Sequence, residues 1–218
     1  MPFVMTHLEI ANNILKSTDK IKNRGDFLLG SVAPDCIHVR NEYHSDMKKM
    51  SHLCVGEEPW GRATNNGEWQ ENVIKYLHEN MNEDNADFLY GYAVHILADI
   101  QNNRKIWGPF YVANKELLAN GHGSQYHHES AMVDLELYLS NPDRERMWNE
   151  LSKSKGYDLD ELVKSYEIES MRDSILTERY VDRELEDNTK NEYVSLSVIR
   201  EFIENESEFI REILFAEV

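Results

Sequence analysis

His95 and Asp99 lie four residues apart within the apolar segment FLYGYAVHILADI, residues 88–100. On a helix this spacing places both side chains on one face, one turn apart. A charged group is costly to bury among apolar side chains unless it is paired or bound to a metal ion. The pattern therefore indicates either a buried imidazole–carboxylate hydrogen bond or two ligands of a metal site.

Further potential ligands are concentrated in a few segments of the chain. His7 falls in the first turn of a predicted helix, and His52 lies beside Ser51 in a predicted loop. Another group surrounds the start of a later helix: His122, His127, His128, Glu129 and Asp134. Imidazole nitrogens and carboxylate oxygens are the ligands of zinc sites that keep an open coordination position.

Each of these residues also has an ordinary structural explanation. His7 could be a hydrogen-bonded surface histidine, and Asp35 could simply cap a turn after Pro34. His127 and His128 could mark only a helix N-terminus. One metal site accounts for these residues together, whereas the alternative needs a separate reason for each. The remaining histidines are expected to be exposed at the surface: His38, His44 and His78.

Helical periodicity dominates the chain and predicts an all-α fold, a bundle whose core could hold ligands from facing helices. Pro34 must end or kink the preceding short apolar turn, and residues 40–67 read as a long irregular loop of the kind that is usually functional. The predicted helices are THLEIANNILKS with Thr6 as N-cap, about 68–81, 84–106 up to a break near 107–110, 111–119, a helix from Ser124, 142–153, 159–178 and 192–216.

The composition is typical of a single globular domain, residues 1–218, with 41% hydrophobic and 29% charged residues. The formal net charge of −17 repels phosphates, which makes nucleic acid an unlikely partner, and it attracts cations. No signal peptide and no transmembrane segment is recognised, so a cytoplasmic protein is expected. Cys36 and Cys54 are too few for a disulfide framework and are expected to be reduced thiols, with a metal-ligand role left open.

The order of the motifs resembles the zinc-dependent phospholipase C family. The motifs, between about residues 6 and 135, are THLEIANNIL, FLLGSVAPD, SHL, GYAVHILAD and HHESAMVD. That family is all-helical, carries a cluster of up to three zinc ions and shares its fold with fungal single-strand-specific nucleases. The resemblance implies a phospholipase C-like bundle with the metal cluster in its core. The helices after residue 140 match no motif of the family.

The resemblance also implies the ligands of two zinc ions. Asp35, His52, His95 and Asp99 look like the ligands of the first, and His7 together with the shared Asp99 looks like part of the second.

The third zinc position departs from the family pattern. Lys105 and Gln125 stand where the family has histidines, whereas Glu129 matches the expected carboxylate. His127 and His128, or else His122, could supply imidazoles by local shifts. If one of these histidines replaces a missing ligand, the cluster is expected to hold three ions. If none does, it is expected to hold two.

The activity implied by the resemblance is a phospholipase C-like hydrolysis of a small-molecule or lipid phosphoester. Zinc lowers the pKa of bound water from about 16 to about 7, and Asp35 is the candidate for orienting or deprotonating the attacking water. Tyr43, Trp60 and Tyr126 could contact a choline headgroup or could simply pack in the core. The alternatives are a non-catalytic helical metal-binding protein and a phosphatase or nuclease on the same fold, although a nuclease needs a basic groove. The oligomeric state is not indicated.

Overall fold

The chain is described here by a computed structural model over residues 3–121, 123–185 and 191–215. Within these ranges no strand forms, and none of the helices is long and apolar enough to cross a bilayer. The prediction of an all-α fold is confirmed. The helices are α1 (Val4–Ser17), α2 (Arg24–Gly30), α3 (Ser45–Ser51), α4 (Asn66–Asn80), α5 (Ala86–Asn102), α6 (Gly108–Ala113), α7 (Lys115–Ala119), α8 (Gly123–Ser140), α9 (Arg144–Leu151), α10 (Ser165–Thr177) and α11 (Leu196–Phe215), with a 3₁₀ helix at Ala33–Val39 and a π-helix at Asn103–Trp107.

Two local predictions are wrong because packing overrides local sequence signals. Residues 40–67 are not irregular throughout, since α3 forms within them and buries Lys48 and Ser51. The chain also does not break at 107–110. The π-helix leads directly into α6, whose second residue is Pro109.

The predicted helix over 159–178 begins only at Ser165, so its start was placed too early. The carboxylate of Glu167 accepts a hydrogen bond from the backbone N–H of Lys164 at 2.9 Å, which fixes the first turn of α10. Leu159 and Val163 form an isolated antiparallel bridge instead of a helical turn.

The N-terminus of α1 is capped from a distant part of the chain. The helix begins at Val4, and the predicted N-cap Thr6 is buried inside it, so that prediction is wrong. Asp134 of α8 accepts a 2.7 Å hydrogen bond from the backbone N–H of Met5. A carboxylate at this end of a helix satisfies a free N–H group and complements the helix dipole. This contact joins α8 to the helix that carries His7.

Two glycines bring α2 and α5 into backbone contact. A Cβ atom added to Gly30 would clash with the carbonyl oxygen of Phe88, and one added to Gly91 would clash with that of Phe27. From Gly91 to Asn102, α5 is buried on every side, as expected of a helix that is apolar nearly all round. The close approach places the C-terminal end of α2 beside the ligand-bearing part of α5.

Replacing Gly91 with alanine is expected to destabilise the protein strongly. The new methyl group would force α2 and α5 apart, at a cost of about 3 kcal/mol or more, which corresponds to a fall in melting temperature of roughly 6–12 °C for a chain of this size. Thermal denaturation followed by circular dichroism measures the effect. Gly67→Ala is the matched control, because a Cβ there meets nothing within 4 Å. Equal melting temperatures for the two variants would contradict the close helix contact.

Helices beyond residue 140 pack on the elements that carry the candidate ligands. α11 lies against α1 and α5, and α10 lies against the 3₁₀ helix. Arg40, directly after the 3₁₀ helix, donates two hydrogen bonds to the carboxylate of Glu167 in α10, at 2.6 and 2.9 Å. The two halves of the chain therefore share one hydrophobic core.

Candidate metal centre

Five predicted ligands from four separate elements converge in the core. His7 comes from α1, Asp35 from the 3₁₀ helix, His52 from the C-terminal end of α3, and His95 and Asp99 from α5. They form two overlapping groups, His7–His95–Asp99 and Asp35–His52–His95, and within each group the potential ligand atoms lie within 4.8 Å of one another. His95 belongs to both groups.

The backbone of α2 determines which nitrogen of His95 faces the cluster. Its Nδ1 lies 2.8 Å from the carbonyl oxygen of Ser31, the residue that ends α2. A carbonyl can only accept, so Nδ1 must carry the proton, and in the neutral ring Nε2 presents a lone pair. That Nε2 lies 3.1 Å from Nε2 of His52. A histidine oriented by a carbonyl at its other nitrogen is the usual arrangement of a metal ligand.

His52 is held in place through its side chain and through its backbone carbonyl. Its Nδ1 lies 2.9 Å from the Ser51 hydroxyl, and its backbone carbonyl accepts a 2.7 Å hydrogen bond from the indole N–H of Trp69 in α4. The next residue, Leu53, has a φ of 52°, a left-handed conformation that is rare for a bulky side chain. The Asn72 amide donates to the Leu53 carbonyl at 2.9 Å and supports this turn.

The buried polar atoms of His7 and Asp99 fit a cation between them. Neither nitrogen of His7 and neither carboxylate oxygen of Asp99 has a hydrogen-bond partner, although both side chains are buried. The closest approaches are 3.7 Å from His7 Nε2 to Asp99 Oδ1 and 3.4 Å from His52 Nε2 to Asp99 Oδ2. Buried polar atoms without partners are rare in folded proteins. This nitrogen and oxygen donor set suits zinc.

Burial keeps the imidazoles of the cluster in the neutral form that binds metal. It lowers the pKa of His7 to about 3 and that of His52 to about 4, and it holds the pKa of His95 well below its usual value. Burial also raises the pKa of Asp99 to about 7, because the carboxylate lacks a compensating partner. The surroundings of Asp99 thus disfavour its charge unless a cation is bound beside it.

Asp35 behaves differently because a lysine lies beside it. Burial disfavours its charge, but the Lys48 ammonium and the neighbouring His52 imidazole outweigh burial and keep the pKa of Asp35 well below its usual value. Lys48 Nζ lies 2.6 Å from Asp35 Oδ1, and His52 Nε2 lies 3.4 Å from the same oxygen. The Asp35 side chain retains 19% exposure, whereas that of Asp99 is fully buried.

A cavity of about 440 Å³ opens over Asp35. Trp60 forms part of its wall, packing edge-on against His52 with ring centroids 4.7 Å apart, and the Lys48 ammonium lies 5.4 Å from the centre of the Trp60 ring. The other lining residues are Phe3, Val4, His38, Val39, Tyr43, His127, Met171, Ser174, Ile175 and Arg179. The arrangement gives one carboxylate of the cluster access to a space that could admit a small ligand.

The structure decides several alternatives left open by the sequence. His95 and Asp99 are not a simple hydrogen-bonded couple, because both His95 nitrogens contact other groups. His7 is buried and is not a surface histidine. His38, His44 and His78 are exposed as predicted, although His38 also lines the cavity.

The structure also places the three aromatic residues and the two cysteines that the sequence left open. Tyr43 and Trp60 line the cavity, whereas Tyr126 packs in the core against Phe110, with ring centroids 4.5 Å apart. Neither Cys36 nor Cys54 belongs to the two ligand groups, and burial raises the pKa of both thiols, that of Cys54 to about 11.

Glu129, His127 and His128, predicted around a third ion, belong to neither of the two ligand groups. The Glu129 carboxylate accepts hydrogen bonds from the backbone N–H groups of Tyr193 and Val194 at 2.7 and 3.0 Å, and from the Gln125 amide at 3.1 Å. His127 and His128 are exposed, and only His127 lines the cavity.

Lys105 and His122 were also considered for the third ion. Lys105 forms an ion pair with Glu206 at 2.6 Å, and His122 lies outside the residues that the structure describes. Among those residues, neither of the two ligand groups contains a member of the third position.

Lys48 is a candidate functional residue that sequence reasoning did not identify. It lies in the segment MKKMSH, within the residues that the sequence predicts as an irregular loop. The available signal was its spacing, four residues before His52, which on a helix puts both side chains on the same side. Arg179 was missed because nothing local relates it to the cluster.

Residues 6–101 match the family model described as zinc dependent phospholipase C. The matched segment contains all five clustered residues and ends before Lys105 and Glu129, so the resemblance is confirmed for this segment and is not extended to 135. No curated protein and no solved structure matches the chain. A family that is zinc-dependent by its description, together with the His and Asp groups of the core, supports a metal-dependent hydrolase role.

Proposed function

We propose that this protein hydrolyses phosphoesters of small molecules or lipids with zinc-activated water. Asp35, His52, His95 and Asp99 would hold one zinc ion, and His7 with Asp99 would contribute to a second. The single observation that carries the proposal concerns Asp99. Its two carboxylate oxygens have no hydrogen-bond partner and are buried among three neutral imidazoles. A carboxylate placed in this way suits a group shared between two ions.

The protein's own residues would divide the chemistry between them. The zinc ions would supply water that ionises near neutral pH and positive charge for the phosphate oxygens. Asp35 is ionised and faces the cavity, so it would orient or deprotonate the attacking water. His52 and His95 would only bind metal, because each has its second nitrogen directed at a neighbouring oxygen.

We further propose two ions and one catalytic domain spanning residues 1–218. A third ion is not favoured, because the Glu129 carboxylate already accepts three hydrogen bonds and Lys105 is ion-paired. A single domain is supported by the packing of α10 and α11 on the elements that carry the cluster.

The proposal is tested by assaying the zinc-loaded protein against an aryl phosphodiester, an aryl phosphomonoester and aryl phosphocholine. Cleavage is expected, with a rate that rises as the pH passes through about 7, and it should be lost after chelation and restored by zinc. His44→Ala and His78→Ala are controls that should leave the rate unchanged, because both side chains are exposed and lie outside the cluster. If a zinc-replete preparation cleaves none of these substrates, the chain is better described as a non-catalytic helical metal-binding protein.

A further inference from the structure

We infer that the cavity over Asp35 selects phosphoesters that carry a second negative charge, with Lys48 contacting the phosphoryl group and Arg179 contacting the second anionic group. The inference rests on the proposed function for the identity of the phosphoester. The inference is drawn from the two basic side chains of the cavity wall, whose positive charge is opposite in sign to the net charge of the chain.

Lys48 lies deep in the cavity, next to the candidate metal centre. Its side chain is only 8% exposed, and its ammonium pairs with Asp35 at 2.6 Å. An ammonium has three donors, so one contact to Asp35 leaves others for a phosphate oxygen. A phosphoryl group placed for attack by the water that Asp35 would orient is therefore also close to Lys48.

Arg179 stands further out on the same wall. Its guanidinium side chain is 37% exposed, and its Nε lies 3.9 Å from the Asp134 carboxylate, a long ion pair. The oxygens of Asp134 have closer partners at 2.7 Å, the backbone N–H of Met5 and the hydroxyl of Tyr180. A guanidinium held in this way is suited to contact a carboxylate or phosphate of the ligand.

Among the residues that the structure describes, Asp35 is the one acidic side chain that lines the cavity. His38 and His127 also line the cavity and offer imidazole nitrogens for hydrogen bonds. A chain with a net charge of −17 repels anions overall, so two cations in one cavity are a local reversal of sign.

Three ligands of similar size that differ in the charge beyond the phosphate test this inference: phosphocholine, glycerol 3-phosphate and 3-phosphoglycerate. Isothermal titration calorimetry on the zinc-loaded protein measures their affinities without requiring turnover. The expected order is 3-phosphoglycerate tightest and phosphocholine weakest, with steps of about fivefold to tenfold, the size of one charge-assisted hydrogen bond.

Two substitutions separate the two contacts. Arg179→Gln is expected to remove the preference for 3-phosphoglycerate over glycerol 3-phosphate and to leave the affinity for glycerol 3-phosphate unchanged. Lys48→Met is expected to weaken all three ligands by about tenfold while the zinc content stays at the wild-type level. Arg211→Gln is the control, since Arg211 pairs with Glu212 and does not line the cavity.

Each outcome bears on one proposal. Equal affinities for the three ligands, or a preference for phosphocholine, would overturn the inference even if the protein cleaves aryl phosphoesters. A preference that survives in Arg179→Gln would overturn the role of Arg179. The predicted order of affinities without any turnover would support the anion site and count against the proposed hydrolase activity.

Discussion

His95→Ala is expected to abolish tight zinc binding and to lower the melting temperature of the zinc-loaded protein by roughly 8–16 °C. His95 belongs to both ligand groups, so its loss removes a ligand from each. A ligand present at about 1,000 times its dissociation constant stabilises the folded state by about 4 kcal/mol, and each kcal/mol shifts the melting temperature of a chain of this size by roughly 2–4 °C. Metal analysis of the purified variant and thermal denaturation with added zinc measure the two effects.

Measurements with a chelator separate the destabilisation caused by metal loss from the destabilisation caused by the cavity that the substitution leaves. In chelated samples wild type and His95→Ala should differ much less than in zinc, because only the loss of side-chain packing remains. His78→Ala, an exposed residue of α4, should match wild type under both conditions. Wild-type zinc content in His95→Ala would show that the metal is held elsewhere.

Asp35→Asn is expected to reduce turnover by about 10²–10⁴-fold, the usual contribution of a positioned general base. The amide keeps the size of the carboxylate but loses the charge that would orient and deprotonate water. It also leaves the Lys48 ammonium without its 2.6 Å ion pair, so zinc binding should weaken as well. Steady-state rates on an aryl phosphodiester at saturating zinc measure the effect on turnover apart from metal affinity.

The matched control for this substitution is Asp46→Asn. Asp46 lies in the first turn of α3 with 83% of its side chain exposed, and it is outside both ligand groups. The same chemical change there should leave the rate unchanged. If the Asp35→Asn variant hydrolyses the aryl phosphodiester at the wild-type rate in excess zinc, Asp35 is excluded as the base.

The sequence predicted the part of the molecule in which local spacing carries the information. His95 and Asp99 are one helical turn apart in an apolar segment, and a helix through that segment is bound to bury both. Their convergence with His7 and Asp35 followed from the family resemblance, because no local pattern relates α1 to the 3₁₀ helix.

The features that sequence analysis missed depend on contacts between distant segments. Asp134 caps α1 from α8, and the α3 helix forms where the chain reads as an irregular loop. Lys48 reaches the cavity from α3 and Arg179 reaches it from beyond α10, and no local pattern relates these two residues to each other. Tertiary packing decides such positions, and a single sequence does not display it.

Locating the metal by anomalous scattering tests the central claim most directly. Crystals of the zinc-loaded protein, measured on both sides of the zinc absorption edge, should show two anomalous peaks, both next to the Asp99 carboxylate, one also adjoining Asp35 and the other His7. No peak is expected beside Glu129. A map without zinc at Asp99, or with zinc only at exposed surface histidines such as His44, would contradict the account.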